Sequence, residues 1–309
     1  FLEDAFERQS IEIQEFLLKS SLLERFGPAL CDAALGMHDS RALIDQCEAA
    51  GLFIQRLDHG RSWYRYHQLF AGFLRRQLQE RMPGAASPIY RRAAHWLART
   101  GNHVEAFNCA LSGQEPLLAA DILDRACDQL FAAGFQPMVQ SLAKRLPSHI
   151  LALYPRLTLC LAWRLTSQWR LSEARSLVAV AEHRVLEMSQ LDDADNDAIQ
   201  RLQLMVAHRR AQIAHSSYDV EALEAQCLQV LEQEPAPDSD PDLMASFHNS
   251  LHYAQREQFQ FARMERLEAR AFEQLGRSSG DQGRVFIAAI SGSSQMLMGQ
   301  TARARATFE

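Results

Sequence analysis

Apolar residues recur at helical spacing along almost the whole chain. In the first stretch Ile13, Phe16, Leu17, Ser20 and Leu23 mark one face of a helix. The pattern predicts a short second helix over Pro28 to Leu35, with Gly36 as its C-terminal stop. A third helix is expected to start at Asp39 or Ser40, residue types that cap helix N-termini, and to run through Ala50 to Gly51. There the period changes. Leu52-Phe53-Ile54-Gln55-Arg56-Leu57 and Ser62-Trp63-Tyr64-Arg65-Tyr66 are β-prone runs on either side of Asp58-His59-Gly60, which reads as a β-hairpin. A long helix follows from about His67 to Arg81 and ends at Pro83-Gly84. Three helices, a hairpin and another helix is the order of a winged-helix unit, here residues 1–84.

From residue 87 the chain is helix after helix. Pairs of small residues stand twelve apart, one in each of two successive helices: Ala94 with Ala106, Ala162 with Ala174, Ser250 with Ala262, and Gly292 with Ala304. That is the spacing of the close-packed pair in a tetratricopeptide (TPR) hairpin, where two backbones approach too closely for large side chains. A weaker copy has Ala222 in its second helix but Arg210 where a small residue is expected. The stretch from Pro116 to Pro147 reads as an irregular hairpin hinged at Gly134. Hairpins are expected over 87–112, 116–147, 152–187, 196–233, 241–276 and from 282 onward, with a loop through Pro235, Pro237 and Asp238 to Pro241. The fold class is therefore mostly all-α: a winged-helix unit with one β-hairpin, then a TPR-like helical-repeat array over 85–309. Single hairpins of this kind cannot bury their own apolar face, whereas stacked neighbours can.

Composition narrows the function. Across 309 residues the formal net charge is −6, which argues against a broad nucleic-acid footprint. No apolar run approaches a membrane span. The cysteines, Cys31, Cys47, Cys109, Cys127, Cys160 and Cys227, are scattered without a CxxC pair, as expected of reduced thiols in a cytoplasm. The chain opens at Phe1 and stops at Glu309 inside an apolar-periodic stretch, so a segment of a longer protein is expected.

Trp63-Tyr64-Arg65-Tyr66-His67-Gln68-Leu69-Phe70, followed by Phe73-Leu74 and Leu78, resembles the signature of the MalT-like, ATP-dependent LuxR-type transcriptional regulators of the STAND class of signalling ATPases. Phe16-Leu17-Leu18-Lys19-Ser20-Ser21-Leu22-Leu23, Gly51-Leu52-Phe53, Tyr90-Arg91-Arg92-Ala93-Ala94-His95-Trp96 and Leu146-Pro147 extend the resemblance over residues 1–170; beyond that it rests on repeat geometry. The resemblance implies a layout of P-loop ATPase, winged helix, TPR-like sensor and C-terminal helix-turn-helix, of which this chain matches the second and third. No GxxxxGK[ST] occurs in it. ATP or ADP, self-association on activation, an ATPase module packed on the winged helix, and DNA contact through a helix-turn-helix are thus expected of the whole parent. This segment is expected to be non-catalytic and to carry no cofactor of its own.

His67 is the sharpest candidate. Tyr66-His67-Gln68-Leu69 aligns with a Met-His-Asp-Leu motif whose histidine, by the resemblance, contacts the diphosphate of bound ADP and holds the switch closed. A histidine at a helix N-terminus is a donor beside free backbone N–H groups, which suits an anion. Gln68 stands where the motif has an acid, so the contact made by that acid is not carried over. The plainer reading is a histidine that caps its own helix. Arg61, Arg65, Arg75 and Arg76 resemble a DNA-binding wing and helix. Residues 1–84, however, hold ten Lys plus Arg against twelve Asp plus Glu, so a packing surface is expected.

In the repeats, the TPR register around Ala162 puts Arg156, Trp163 and Ser167 on the groove side, and the same register puts His215, Phe247 and Gln255 there in later hairpins. Aromatic rings with nearby polar groups suit a sugar or another small-molecule inducer. Inter-repeat core is the alternative for Trp163, and a peptide or partner domain in the groove of a TPR scaffold is the alternative function. His248 and His252 stand four apart on one helix face, as metal ligands do, but no third ligand follows at a convincing spacing, and no metal site is expected. The acidic clusters Glu3-Asp4, Asp192-Asp193 and Asp195 read as solvated.

Overall fold

The computed structural model describes residues 2–58, 60, 62–191, 195–232, 241–264 and 281–309. The chain forms two compact units, Phe1–Ile150 and Leu151–Glu309. Both are built from helices, and among the described residues the strands form a single two-stranded antiparallel hairpin. No described helix is long and apolar enough to cross a membrane.

The first unit opens with α1 (Leu2–Glu7), an element the periodicity leaves out, with Glu3 and Asp4 in its first turn. Then come α2 (Ile11–Ser20), α3 (Pro28–Leu35) and α4 (Ser40–Ala49). Ser10 caps α2 by accepting from Ile13 N at 3.4 Å, and Gly36 ends α3 at φ 73°. The hairpin is shorter than the β-prone runs: β1 (Ile54–Arg56) pairs with β2 (Tyr64–Tyr66), Ile54 opposite Tyr66. Leu52 and Phe53 belong to the turn that leaves α4, where Leu52 N donates to Cys47 O and Phe53 sits at φ 53°. Phe26 adds a one-residue bridge to the sheet, exchanging hydrogen bonds of 2.8 and 2.7 Å with Tyr64. After α5 (Gln68–Arg81), the core of this part is aromatic: Phe6, Phe16, Phe26, Tyr64 and Phe70 are wholly enclosed. Phe26 stacks on Tyr66 at 4.6 Å, and the buried Tyr66 hydroxyl is satisfied by Ser20 Oγ at 2.7 Å. Each ring so enclosed contributes about 1.5–3 kcal/mol.

The first helical hairpin, α6 (Ala86–Arg99) and α7 (His103–Ser112), is fastened to this core. Arg92 Nε donates to Ala34 O at 2.7 Å, Arg25 reaches Glu105 and Asn102 at 2.8 and 3.0 Å, and the Arg25 guanidinium lies 4.2 Å from the Trp63 ring centroid. Next are α8 (Pro116–Ala132), α9 (Gln136–Ala143) and the short α10 (Ser148–Leu151).

The second unit stacks α11 (Pro155–Ser167), α12 (Leu171–Ser189), α13 (Asn196–Ser216), α14 (Val220–Leu231), α15 (Pro241–Glu257), α16 (Asp281–Leu297) and α17 (Thr301–Phe308). Hairpin partners pack on each other, and the first helices α11, α13, α15 and α16 pack in succession. That is the geometry the small-residue pairs imply. Ala162 and Ala174 are fully buried against one another's helices, and Gly292 lies so close to Phe308 that a Cβ there would meet the ring. In the Ser250–Ala262 pair, Ser250 is buried but Ala262 is exposed. The expected loop at 235–240 and most of the second helix of that hairpin lie outside the described residues.

The turn inside each hairpin has one residue in the left-handed region. It is Gly101 (φ 79°) after α6, Gly134 (φ 83°) after α8 and Gly299 (φ 76°) after α16, but Trp169 (φ 61°), Tyr218 (φ 56°) and Phe259 (φ 58°) in the hairpins that open with α11, α13 and α15. In each, the next backbone N–H closes the helix: Arg170 N to Leu165 O, Asp219 N to Ala214 O, Gln260 N to Gln255 O. A left-handed residue with a Cβ costs about 1–2 kcal/mol, and glycine gives back roughly 0.5–1 kcal/mol of that through chain entropy. Tyr218 is 71% exposed and has little packing to lose. Tyr218→Gly is therefore expected to stabilise the second unit by about 0.5–1 kcal/mol, read as a rise in its thermal unfolding midpoint; a fall would show that the exposed ring holds the turn.

Candidate functional site

The β-hairpin delivers His67 to the start of α5. Its own N–H donates to Phe53 O at 2.8 Å, and its ring Nδ1 accepts from Leu69 N at 3.4 Å, so it does cap the helix. The same bond has a chemical consequence. With Nδ1 spent as an acceptor, Nε2 carries the ring hydrogen, and the exposed ring presents an N–H donor. It opens on a cavity of about 470 Å³ whose rim includes Arg65, Gln68, Arg75, Gln55 and Glu24. Arg75 is held by donating Nε to Ser21 O at 2.7 Å, and Arg65 by Gln55 Oε1 at 3.2 Å. Two cations, an imidazole N–H and the N-terminal turn of α5 thus face one recess, with Glu24 the acid on its rim, and this donor set suits a phosphate or diphosphate. Arg76 lies outside that rim on the exposed face of α5, and Arg61 lies outside the described residues.

The groove-side residues of the second unit are brought together only in part. Arg156 and Trp163 are half-buried on α11, and the Arg209 guanidinium stands 6.0 Å from the Trp163 ring. Arg209 is fixed by Leu159 O (3.0 Å), Gln212 Oε1 (3.2 Å) and His208 Nδ1 (2.6 Å). His208 in turn meets Ser246 Oγ at 2.6 Å through Nε2. Burial, then the neighbouring Arg209, holds this imidazole well below its ordinary value, so it is neutral and carries one proton between two partners. His215 is half-buried and stacks on Tyr253 at 4.1 Å; burial and then Arg256 lower its pKa.

Two expected groove residues are placed otherwise. Phe247 is 0% exposed, packed with Met244, Leu251 and Ala211 and set edge-on to His208 at 5.4 Å, so core packing takes the whole ring. Gln255 is 2% exposed, on the side of α15 that the stack covers. His208, Arg209 and Tyr253 are the polar and aromatic groups on this face that the register reading misses. His208 lies seven residues before His215, on the same stripe of α13, which is the signal that could have found it. His252 is not poised for a metal: it is buried, and its Nε2 meets Ser294 Oγ at 3.3 Å. Burial pushes Cys47, Cys109 and Cys227 up to about 12, which leaves these three thiols poor nucleophiles. Asp195 caps α13 by accepting from Ala198 N at 3.0 Å, and Asp192 and Asp193 lie outside the described residues.

The comparisons with known proteins agree with this architecture. Residues 2–86 match the family described as the MalT winged helix domain. The HTH-type transcriptional regulator MalT of Cronobacter sakazakii is 31% identical over 265 residues, 79% of this chain and 29% of that protein; MalT of Klebsiella pneumoniae is 30% identical over 275 residues, 82% of this chain and 30% of that protein. The serine/threonine-protein kinase PknK of Mycobacterium tuberculosis is 32% identical over 161 residues, 52% of this chain and 14% of that protein. The chain therefore spans less than a third of the length of these relatives. In fold it resembles a Signal Transduction ATPase with Numerous Domains (STAND) protein with a tetratricopeptide repeat sensor from Pyrococcus horikoshii, with a TM-score of 0.56 at 13% identity, covering 99% of this chain and 54% of that one.

Proposed function

Residues 2–86 belong to the MalT winged helix domain family, and from that premise we propose that the chain is the winged-helix and sensor part of a MalT-like, ATP-dependent transcription activator of the LuxR type, without catalysis of its own. The observation that carries the reading is the recess at the start of α5, where His67 Nε2–H, Arg65 and Arg75 converge. Those groups fit an anion of diphosphate size, and they would hold the diphosphate of ADP in a parent that also carries the ATPase module. A bound nucleotide supplies the charge that ties the winged helix to that module. His67 donates one hydrogen bond to it, Arg75 stays oriented by the C-terminal end of α2, and the closed state is favoured by contacts the open state lacks. The second unit is the sensor. An inducer held on its first-helix face, beside Trp163, Arg209 and His215, favours the open form, which self-associates and presents DNA-binding domains that lie outside this chain. The exposed turn rings Trp169, Tyr218 and Phe259 favour a second reading in which this unit also engages a protein partner.

In the full-length parent, His67→Ala removes a charge-assisted hydrogen bond worth about 1.5–3 kcal/mol, so ADP affinity is expected to fall roughly tenfold or more and reporter expression to become independent of inducer. Unchanged ADP affinity with the wild-type inducer requirement would leave His67 as a helix cap alone.

A further inference from the structure

In the α13–α14 hairpin of the second unit the twelve-residue pairing puts Arg210 opposite Ala222, but the close-packed position falls one residue later: Ala211 is 0% exposed, seven residues before the left-handed Tyr218 as Ala162 is before Trp169. Arg210 stands beside that contact, half exposed, and its Nη2 pairs with Glu182 of α12 at 2.5 Å. Next to it is a cavity of about 350 Å³ where α12, α13 and α14 converge. Val178, Ile213 and Ala222 give it an apolar floor, and Arg175, Arg210 and Glu182 stand among its rim. Apolar walls with a few convergent polar groups, at this volume, are the usual make-up of a small-molecule site.

The rim charges indicate the ligand. Glu182 is taken by Arg210, and Asp219 is turned to its own helix, accepting from Ala222 N at 3.1 Å. Arg175 has no hydrogen bond or ion pair among the described residues, so it is the cation left to receive an external anion. Gln226, also on the wall, has its Oε1 shielded from water and without a hydrogen-bond partner among the described residues. We propose that this cavity binds a small amphipathic carboxylate, its apolar body on Val178, Ile213 and Ala222 and its carboxylate on Arg175 in the two-pronged geometry that guanidinium favours. The site shares α13 with the inducer face but not its residues, and it stands or falls independently of the nucleotide reading.

The test is calorimetric titration of the 309-residue chain with 4-phenylbutyrate and with 4-phenyl-1-butanol, which share an apolar body and differ in charge. The acid is expected to bind saturably at one site, at least tenfold tighter than the alcohol. Arg175→Gln, at an exposed side chain with no bonds to lose, is expected to bring the acid down to the alcohol's affinity. Arg210→Ala leaves the Glu182 carboxylate unpaired on the rim and is expected to weaken the acid while leaving the alcohol unchanged. The proposal is overturned by the absence of saturable binding, by equal affinity for acid and alcohol, by an Arg175→Gln chain that binds the acid as the wild type does, or by an Arg210→Ala chain that binds the acid unchanged.

Discussion

Phe247→Ala is expected to cost the second unit about 3–5 kcal/mol, the range for deleting a buried aromatic ring. The ring is fully enclosed between α13 and α15, with Met244, Leu251, Ala254 and Ala211 around it and the His208 imidazole against its edge. Its removal takes away the transfer free energy of the ring and leaves a void beside a neutral imidazole. In a stack of repeats stability is close to a sum of nearest-neighbour interfaces, so the loss falls on the α13–α15 joint rather than evenly. Hydrogen exchange should show this as faster exchange in α13 and α15 with α11 less affected, alongside a lower guanidinium midpoint. Phe247→Leu keeps most of the volume and should cost less than about 1.5 kcal/mol. A loss under 1 kcal/mol for Phe247→Ala would mean that the ring is not core and would return it to the groove.

Acid should loosen the same unit. His252 is 4% exposed on α15, and burial, then Arg256, lowers its pKa from 6.5 to about 4. A histidine depressed in this way favours the fold only while neutral. Its contribution is complete above about pH 6.5 and is lost as the pH falls towards 4, because the unfolded chain takes up the proton first. At 1.36 kcal/mol per pH unit, His252 alone removes roughly 2 kcal/mol by pH 5 and about 3 kcal/mol below pH 4. His208, held well below its ordinary value by burial and then by Arg209, adds a loss of the same sign. Denaturant unfolding at pH 7 and pH 5 measures this directly. His252→Gln should narrow the difference, with His208 keeping the rest; a variant that stays as acid-sensitive as the wild type would assign the effect to other groups.

Much of the fold was legible because its signals are local. Ser10, Gly36 and the 3.6-residue period act within a few residues of themselves, and the twelve-residue pairing reports a contact between neighbouring helices. The one-residue bridge from Phe26 to Tyr64 was not legible, since a single backbone pairing between residues so far apart leaves no pattern. The β-prone run at Leu52 overshot because Gly51 and Phe53 spend their backbones on the turn out of α4. The sites divide in the same way. His67 could be placed at a helix start from its neighbours, but the convergence of Arg65 and Arg75 on it depends on β2, α5 and the end of α2 together. In the repeats the register itself slipped. The twelve-residue pairing aligns Ser167, His215 and Gln255, but the bonds that close the helices end on Leu165, Ala214 and Gln255, so His215 matches Thr166 and Gln255 matches Leu165. Where each turn falls is fixed by a left-handed Trp169, Tyr218 or Phe259, residue types that carry no turn signal.

One joint between first helices also has a mechanical meaning. Between α15 and α16 the contact is dry and contains the His252–Ser294 bond, both partners buried. A hydrogen bond sealed inside such a seam can be remade only after a whole helical turn, about 5.4 Å, because intermediate offsets strand both partners without water. That seam is therefore indexed like a detent: it holds one axial position or jumps by a turn, and it cannot creep.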